Sequence, residues 1–558
     1  MMKRTILFSA LLALSLFPRL LSAQTFEWAH SGSSSVIATA AGLATDSKGF
    51  IYATGTFYGN IEIGSTKLTA IGRDVYVAKY DVQGNALWAK RAGGERDEFS
   101  YAIAVDKNGD CIICGSFYDH ITFGGDTITS RGQHDIFIAK YSTNGDLIWA
   151  KTAGGKYADH AVTLSLDKSG NIYVGGFFKD TMWFGSNVTI TTKRNQTFDM
   201  FIAKFNPSGD ISWAKEISGS PYYYTPDDGL AIVAEPNGSL YVVGSFQQSA
   251  QFDTTIITNN ASYGFFLAEY SATGKLVTLK SSSKDGSMIT GRRITIDKKG
   301  NLYIAGTYTV NAIFGDHSLI SNNLGNMELF VTKYDPKLNV EWAQTSSGFG
   351  MKQPTAITTD EDGNLLVAGL FRDTAIFGPS TISTAGTESY FLVKYDIAGK
   401  PLWAKQGGRH GASSAHGLAL DKQGNVYLQG KFTDTAEFGR NRLIANLSTQ
   451  DFSLAKLSPR MLLKEKKIAD VLPAEFKFVS CDINKSSALV RFTLPKPAFV
   501  TLGIYSEVGD VMESYIEGQR EAGVYEDVLD IKGIGSGEYY CRLQGGRDKQ
   551  TKKITISH

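Results

Sequence analysis

The length, composition and charge of the chain exclude several classes of protein. Its 558 residues are 42% hydrophobic and 20% charged, a globular balance in a chain too long for one ordinary domain. The 58 glycines, the 12% of aromatic residues and only 13 prolines favour an all-β fold with many tight turns. A formal net charge of +1 does not indicate a basic surface, so no nucleic acid is expected as a partner.

Residues 1–23 have the pattern of a secretory signal peptide. Lys3 and Arg4 precede an apolar run from Ile6 to Phe17, and small residues end at Ala23, before an expected cut at Gln24. The run is too short to span a bilayer, and no later stretch is long and apolar enough to do so. We therefore expect an exported protein, secreted or at the outer-membrane surface, with no transmembrane segment in the mature chain.

One motif recurs seven times from residue 46 onward. Each copy has an acidic residue, a Gly three positions later, an apolar run, a second Gly and an aromatic residue, as in DKSGNIYVGGFF. The copies are 60 to 68 residues apart, and a fixed period of this kind indicates a repeat architecture. Numbered in chain order as repeats 1 to 7, they begin at Asp46, Asp106, Asp167, Glu235, Asp297, Asp360 and Asp421.

Each repeat is predicted to contain four short antiparallel strands. In the repeat that begins at Asp106 they cover 102–105, 112–117, 136–141 and 147–151. Pairs such as Asn-Gly and Ser-Gly in the turns supply the positive φ that tight hairpins need. A four-stranded sheet cannot bury both faces by itself, so neighbouring repeats must pack against each other.

Stacking around an axis gives a seven-bladed β-propeller, and stacking along a line gives a solenoid. A solenoid needs capping units, and none is visible next to the repeats. Residues 26–29, with the sequence FEWA, look like the end of a repeat, whereas the seventh repeat stops after its third strand at 451–456. We therefore predict a seven-bladed propeller over 24–460, closed by the N-terminal strand.

The Trp-Ala pair marks the predicted fourth strand of most repeats. The fourth repeat departs from this pattern and has residues 276–279, with the sequence LVTL, in its place. Six of the seven tryptophans share the register, namely Trp28, Trp88, Trp149, Trp213, Trp342 and Trp403.

These signatures resemble the bacterial propeller repeats known as SBBP repeats, over residues 25 to about 460. The resemblance rests on the Asp-x-x-Gly-Asn-x-Tyr-x-x-Gly, Ala-Lys-Tyr and Trp-Ala-Lys segments. It implies a propeller fold and a surface protein of binding or unknown role.

A change in composition near residue 470 indicates a second domain. A linker is expected over 461–474, with the charged residues 464–467 inside it. Short strands at 488–492, 500–505, 523–525, 537–543 and 551–556 then predict a small Ig-like β-sandwich over 475–558.

The order of these strands is similar to the C-terminal sorting domain of type IX secretion. The matching positions are Gly537, Tyr539, Lys552 and Lys553, while residues 480–484 replace the usual Pro-Asn-Pro. The resemblance implies that the type IX secretion machinery is a partner, and it leaves open whether the domain is cleaved. The alternative is an ordinary Ig-like module that stays on the protein.

The four cysteines point to a structural role. Cys111 and Cys114 lie at odd spacing on one predicted strand, so their side chains face opposite sides and cannot pair. Cys481 and Cys541 can form a disulfide in the second domain if the protein is exported, and the sequence leaves this open. No zinc pattern is completed.

The turn DEDGN at 360–364 has the acidic residues of a calcium-binding loop. No distal bidentate acid follows it, so a hairpin turn is favoured. No metal or cofactor is therefore predicted. No nucleophile elbow, phosphate loop or dinucleotide fingerprint occurs either, so no catalytic residue is assigned.

The loops that enter each first strand vary between repeats, and they should gather at one mouth of the ring. Tyrosines with acids and arginines around a cavity suit a sugar or an extended peptide. The alternative is that these loops differ because nothing constrains them. The candidate ligand-binding residues are Tyr157, Asp159, His160, Tyr222, Tyr223, Tyr224, Asp227, Asp228, Arg292, Arg293, Arg409 and His410.

The favoured function is non-catalytic binding of a glycan or an extracellular protein ligand at this mouth. A propeller lyase or glycoside hydrolase that uses acids and histidines there is one alternative, and a structural component of a surface assembly is another. The fold does not separate them, because propellers host all three. The sequence does not identify the ligand or the oligomeric state.

Overall fold

A computed structural model shows the architecture, and in the residues that it describes every regular element is a β-strand. No helix in that part of the chain is long and apolar enough to cross a membrane. The expected signal peptide 1–23 lies outside the described residues. These are 24–185, 187–193, 198–220, 229–260, 262–282, 287–321, 326–384, 387–408, 411–439, 441–445, 449–459, 466–469, 473–484, 487–507, 511–520, 522–531, 534–546 and 548–557.

The chain forms two compact units. We call Phe26–Ser458 the repeat domain, and the described residues from Pro459 onward the C-terminal domain. The repeat domain is built from antiparallel strands that pair in the order first, second, third and fourth within each repeat.

The strands of the repeats agree with the four predicted per repeat. First strands are Ile37–Thr45, Glu98–Val105, His160–Leu166, Leu230–Ala234, Ile289–Ile296, Lys352–Thr359 and Ser413–Leu420. Second strands are Ile51–Ile63, Cys111–Phe123, Ile172–Lys179, Leu240–Phe252, Leu302–Tyr308, Leu365–Phe371 and Val426–Thr433. Third strands are Thr66–Tyr80, Asp126–Tyr141, Phe198–Phe205, Gly264–Tyr270, Glu328–Tyr334, Ser389–Tyr395 and Gln450–Pro459. Fourth strands of repeats 1 to 6 are Ala86–Ala92, Leu147–Gly155, Ile211–Ser220, Leu276–Ser282, Val340–Thr345 and Pro401–Gly407.

The N-terminal strand Gln24–Ser34 supplies the fourth strand of repeat 7. It lies beside Gln450–Pro459 in the sheet, as predicted. Glu27 forms an ion pair with Lys456 at 2.9 Å, and the Ser34 hydroxyl donates to Asp451 at 2.7 Å. The two ends of the repeat domain are therefore joined within one sheet.

The first strands form a closed circle of contacts. Each first strand contacts the first strand of the next repeat, and Ser413–Leu420 contacts Ile37–Thr45. A circle of antiparallel sheets around their first strands is the arrangement of a β-propeller.

Each repeat also has an additional hairpin between its second and third strands, which the sequence did not predict. In repeats 1 and 2 the second and third strands themselves extend to form it, and in repeat 4 Thr255–Thr258 pairs with the end of the second strand. Separate strands form it elsewhere: Thr181–Phe184 with Val188–Thr191, Asn311–Phe314 with His317–Ile320, Thr374–Phe377 with Ser380–Ser383, and Thr435–Phe438 with Asn441–Ile444. In several repeats the hairpin also pairs with the fourth strand of the preceding repeat, as Met182 does with Gly155.

The repeated Asp-x-x-Gly-Asn-x-Tyr motif joins neighbouring repeats. The Asp46 carboxylate accepts the backbone N–H groups of Lys48 and Phe50 and so closes its turn. At the turn weighed as a calcium loop, Asp360 does the same for Asp362 and Asn364. The motif tyrosine then donates to a turn carbonyl of the next repeat, from Tyr52 to Gly109 at 2.8 Å, Tyr173 to Gly238 at 2.8 Å and Tyr303 to Gly363 at 3.0 Å.

The fourth-strand tryptophans make a second joint between repeats. Trp88 donates its indole N–H to the carbonyl of Thr143 in the next repeat at 3.1 Å. A Cβ atom at Gly145 in the same turn would lie 2.8 Å from the Trp88 ring, so only glycine fits there. Gly145 also has a φ of 84°, which glycine adopts without strain.

At the joint between repeats 4 and 5 the sizes of the two residues are reversed. The small residue lies in the fourth strand of repeat 4, and the large residue lies in the turn of repeat 5. Thr278 has the pairing position that tryptophan has elsewhere, opposite Glu269. The turn of the next repeat has Leu338 where the others have glycine, with a φ of 60° and only 4% exposure. The leucine therefore restores the volume that the missing tryptophan would have filled.

The C-terminal domain has two antiparallel four-stranded sheets. The first has the order Lys466–Ala469, Gly523–Asp530, Ser487–Leu494 and Lys477–Ile483. The second has the order Val511–Arg520, Ala498–Tyr505, Gly537–Gly545 and Asp548–Ile556. Side chains from both sheets share one buried apolar core, which includes Val490, Phe492, Leu502 and Leu543.

One boundary differs from the sequence prediction. Lys466–Ala469 lies in the segment 461–474 that was expected to be a linker, yet it pairs with Gly523–Asp530 as an edge strand. The strand was not predicted, because it begins with two lysines and shows no alternation of apolar and polar residues. Such a segment is typical of a charged surface loop.

Candidate functional site

The repeat domain has a cavity of about 1000 Å³ at the end of the sheets where the first strands begin. We call it the mouth cavity. The Asp-x-x-Gly turns lie at the other end of each first strand, away from this cavity. Residues of repeats 1, 2, 3 and 7 line it: Ile37, Thr39, Ala40, Ala41, Thr56, Arg73, Glu95, Arg96, Asp97, Phe99, Ser100, Tyr101, Tyr118, His134, His160, His416, Lys431 and Gln450.

A β-bulge in the first strands aims side chains at this cavity. The register shifts by one residue in six of the seven first strands, which breaks the alternation of side chains between the two faces. The extra residue is Ala41, Tyr101 and His416 in the three of these strands that contribute their bulge to the cavity.

Aromatic rings and an arginine form one wall of the cavity. Phe99 and Tyr101 are almost parallel, at an interplanar angle of 5° and 6.0 Å between centroids. The Arg73 guanidinium lies 4.6 Å from the Phe99 centroid and 4.8 Å from that of Tyr58. The Tyr58 hydroxyl in turn donates to Asp97 at 3.2 Å. These contacts hold the rings and the cation in fixed positions beside the cavity.

Two histidines form a second wall. The rings of His134 and His160 are 5.4 Å apart, and the Tyr118 ring meets His134 edge to face at 5.3 Å. The Nδ1 atom of His160 is 3.0 Å from the hydroxyl of the buried Ser116. This contact fixes the orientation of the imidazole.

Burial lowers the pKa of both histidines and so favours their neutral form. Burial, and then the neighbouring His134, lower the pKa of His160 to about 4. Burial also lowers the pKa of His134, against the opposing effect of Asp97. Neutral imidazoles both donate and accept hydrogen bonds, so this wall can recognise hydroxyl groups.

Buried acidic side chains lie next to the residues that line the mouth cavity. Asp159 is fully buried, and its carboxylate accepts the backbone N–H of Gly155 at 2.8 Å. Burial raises its pKa well above the usual range, and the nearby Asp135 adds to this effect. Glu98 has the equivalent position one repeat earlier, where burial raises its pKa to about 9. These acids hold the loops that enter the first strands.

The predicted ligand-binding residues are only partly brought together. His160 lines the mouth cavity, and Asp159 lies buried beside it as a support. The Tyr157 ring contacts two ammonium groups, with that of Lys156 at 5.4 Å and that of Lys179 at 5.3 Å from its centroid. Outside the described residues lie Tyr222, Tyr223, Tyr224, Asp227, Asp228, Arg409 and His410.

The arginines of repeat 5 are placed differently from the expectation. Arg292 is the bulge residue of Ile289–Ile296, and only 1% of it is exposed. Arg293 donates to the backbone carbonyls of Thr355 and Arg292. Both belong to the strand itself and not to the loop before it, because the strand begins earlier than the sequence indicated. His416 likewise lies within the first strand of repeat 7, Ser413–Leu420.

The sequence reasoning missed Arg73 and His134, which have the same position in repeats 1 and 2. Each comes directly before a buried aspartate of the third strand, and the strand residues that follow this aspartate are buried as well. A signal was present, because this position changes in every repeat while its neighbours stay similar. The residues there are Arg73, His134, Phe198, Tyr263, Met327, Glu388 and Gln450.

The positions of the type IX resemblance meet in the last hairpin of the C-terminal domain. Gly537 pairs with Ile556, and Tyr539 pairs with Ile554. Lys552 lies opposite Cys541, and Lys553 forms an ion pair with Glu538 at 2.8 Å.

No protein-family model matches the chain. An uncharacterized WD repeat-containing protein of Acanthamoeba polyphaga mimivirus is 25% identical over 446 residues, which cover 66% of this chain and 32% of that protein. The regulatory protein FlaEY of Caulobacter vibrioides is 24% identical over 297 residues, 50% of this chain and 30% of that protein. The chain thus spans about a third of the length of these curated relatives.

Solved structures with a similar course of the chain include three enzymes. A polysaccharide lyase PL25, an ulvan lyase, has a TM-score of 0.40 at 10% identity, over 77% of this chain and 97% of that one. The apocarotenoid oxygenase of Synechocystis has a TM-score of 0.34 at 11% identity, over 77% and 97%. A gluconolactonase of Xanthomonas campestris has a TM-score of 0.29 at 12% identity, over 62% and 87%.

Proposed function

We propose that the repeat domain is a seven-bladed propeller closed by its N-terminal strand, and that it binds a ligand in the mouth cavity without chemistry. The closed circle of first strands and the pairing of Gln24–Ser34 with Gln450–Pro459 support the first part. The mouth cavity supports the second part, because about 1000 Å³ is the size of an oligosaccharide or short peptide site.

The strongest support is the distribution of variable side chains. The strands and turns of the repeats are nearly interchangeable, so a purely structural ring needs no difference between them. Phe99 and His160 have one repeat position, and Arg73 and His134 another. These positions differ between repeats and meet at one cavity, which is the arrangement that a binding site requires.

The chemistry of the walls favours a glycan over a protein ligand. The parallel Phe99 and Tyr101 rings offer an apolar face on which the C–H face of a sugar ring can stack. Neutral His134 and His160, together with Arg73 and Lys431, supply donors and acceptors for hydroxyl or carboxylate groups. A peptide ligand would more often use a long apolar groove or a free strand edge.

Export is the second element of the proposal. The pattern of residues 1–23 and the similarity of residues 475–558 to a type IX sorting domain support secretion to the outer-membrane surface. In this proposal Gly537, Tyr539, Lys552 and Lys553 serve the secretion machinery, and the two-sheet domain is Ig-like.

An enzyme is the alternative that one observation favours. His160 has a pKa of about 4 and lies beside His134 and Tyr118, so a neutral base and a phenol face the same cavity. A lyase can use such a pair to remove a proton and to protonate the leaving group, whereas a glycoside hydrolase ordinarily uses two carboxyl groups. Among the described residues, no comparable feature favours a structural role in a surface assembly.

Binding to a glycan array by the mature chain, residues 24–558, tests the proposal. Phe99→Ala should weaken binding to the best glycan by at least tenfold, because it removes half of the stacked pair. Trp183→Ala is the matched control, since this partly exposed ring lies in the additional hairpin of repeat 3 and outside the cavity. Equal binding by Phe99→Ala and the parent chain, with equal melting temperatures, would contradict the choice of site.

Turnover of the bound glycan separates the two functions. The binding proposal expects the glycan to be recovered intact after long incubation. Unsaturated or hydrolysed products that disappear in His160→Gln, with binding retained, would establish the enzyme alternative.

A further inference from the structure

The C-terminal domain holds two cysteine thiols that come from different sheets and meet in the core. Cys481 belongs to Lys477–Ile483 in the first sheet, where it pairs with Val490. Cys541 belongs to Gly537–Gly545 in the second sheet, where it pairs with Ile504. Cys541 is part of the buried core and Cys481 packs against it. Strands from two sheets therefore bring the two thiols into one core, which is the arrangement that an inter-sheet disulfide requires.

The two thiols differ in access to solvent. Cys541 is fully buried, so no reagent from solvent reaches it directly. Cys481 is partly exposed and lies on the outer strand of its sheet. A soluble oxidant can therefore meet only Cys481.

A lysine is placed beside the accessible thiol. Lys552 lies directly opposite Cys541 in the last hairpin. Its ammonium group donates to the carbonyl of Val479 at 2.6 Å and lies 5.3 Å from the Phe478 ring. Both residues are in the strand of Cys481, so the lysine bridges the two sheets next to the thiol pair.

We propose that Cys481 and Cys541 are an oxidation site, which forms an inter-sheet disulfide by ordered exchange with a low-molecular-weight disulfide such as oxidised glutathione. In the first step the Cys481 thiolate attacks one sulfur of oxidised glutathione, forms a mixed disulfide and releases one glutathione thiolate. In the second step Cys541 loses its proton and attacks the Cys481 sulfur, which releases the second glutathione. The two cysteines are oxidised by two electrons and oxidised glutathione is reduced to two thiols.

The electrostatic surroundings favour this order. The hydrogen bond from the Cys541 thiol lowers the pKa of Cys481, and the charge of Lys552 adds to this. Burial and the negative Asp482 oppose the effect, and Arg491 is an ion-pair partner of Asp482 at 3.6 Å. The same hydrogen bond and burial raise the pKa of Cys541, so it stays protonated until the first step is complete. Thiolate is the reactive form, which makes Cys481 the entry point.

The other two cysteines provide an internal control. Cys111 and Cys114 are fully buried, and they lie in two different apolar clusters on opposite faces of their strand. Burial raises the pKa of Cys111 to about 12, so it is unreactive at neutral pH. They should remain thiols under conditions that oxidise the other pair.

Peptide mass spectrometry of the full chain tests the site. The reduced chain is incubated with oxidised glutathione at pH 7.5, alkylated under denaturing conditions and digested. We expect one linked pair of peptides that contains Cys481 and Cys541, with Cys111 and Cys114 alkylated. Alkylation of all four cysteines, or a linkage that includes Cys111 or Cys114, would overturn the proposal.

Single variants test the order of the two steps. Cys541→Ser should accumulate glutathione on Cys481, because the resolving thiol is absent. Cys481→Ser should leave Cys541 unmodified, because solvent does not reach it. Glutathione on Cys541 at a comparable rate in Cys481→Ser, with an unchanged melting curve, would refute the assignment of Cys481 as the entry thiol.

Lys552→Gln tests the positioning role of the lysine. In the Cys541→Ser background, we expect the rate of glutathione addition at pH 7 to fall severalfold. Its pH profile should shift to higher pH, which loss of packing alone would not cause. Lys549→Gln, on the same strand, is the control and should leave the profile unchanged. Identical profiles for Lys552→Gln and this control would remove the lysine from the proposal.

Discussion

Truncation of one side chain in the N-terminal strand should destabilise the closed ring. Phe26 is only 7% exposed, and it packs in the core of repeat 7 with its ring 5.2 Å from Phe438 in an edge-to-face pair. Truncation of a buried phenylalanine costs about 3–5 kcal/mol. At about 2 °C per kcal/mol for a unit of this size, the melting temperature should fall by roughly 6–10 °C. Phe349→Ala is the matched control, because this ring is 77% exposed and its loss should shift the melt by less than about 1 °C.

A double-mutant cycle tests whether the loss comes from closure. Phe26→Ala, Phe438→Ala and the double variant are unfolded in urea and followed by tryptophan fluorescence. Because the two rings touch, we expect a coupling energy of about 0.5–1.5 kcal/mol between residues 412 positions apart in sequence. Additive effects within about 0.3 kcal/mol, or a melt of Phe26→Ala equal to that of the control, would refute closure by the N-terminal strand.

Three further measurements follow from the structure. Thr278→Trp alone should destabilise by about 1–3 kcal/mol through overpacking against Leu338, and Thr278→Trp with Leu338→Gly should recover much of this loss in urea unfolding. Burial raises the pKa of Glu98 to about 9, so this group is protonated in the folded state and ionised in the unfolded chain between about pH 5 and 9. Stability should therefore fall as the pH rises through this window, by up to about 1.4 kcal/mol per pH unit, and Glu98→Gln should flatten the curve; a parent curve that is already flat would contradict the buried proton. Formation of the inter-sheet disulfide should stabilise the C-terminal domain by up to about 4 kcal/mol, seen as a lower unfolding midpoint on reduction, and equal midpoints before and after reduction would mean that no bond forms.

The strands and turns of the repeat domain could be predicted from the sequence, because they depend on contacts between close neighbours in the chain. The Asp-x-x-Gly turns and the apolar runs of the second and third strands are complete within about a dozen residues. The fourth strand of repeat 7 was also predictable, since the FEWA segment at 26–29 stands out as a fragment without its repeat. The additional hairpins were missed. In repeats 3, 5, 6 and 7 their strands are only four residues long, and in several repeats the hairpin is held by pairing with the preceding repeat.

The candidate site could be predicted only in part. His160 was found because it ends a variable loop, and it does line the mouth cavity. Arg292 was misplaced, because the first strand of repeat 5 begins before it and a bulge turns its side chain into the interior. Arg73 and His134 were missed, because they end a hairpin that the sequence did not indicate. The assignment of loops to the mouth therefore depended on strand ends, which are the least certain part of a sequence prediction.

The sequence by itself determined the period of the repeats, the four strands of each and the fragment that completes the last, because apolar runs and turn residues act locally. The tertiary structure alone decided which variable side chains face one another, since Phe99, His160 and His416 come from three repeats and meet only when the ring is closed. It also decided that Cys481 and Cys541 share one core, because two sheets must pack face to face before thiols 60 positions apart can meet. Local propensity specifies elements, whereas sites arise from distant side chains that only packing brings within a few ångströms of one another.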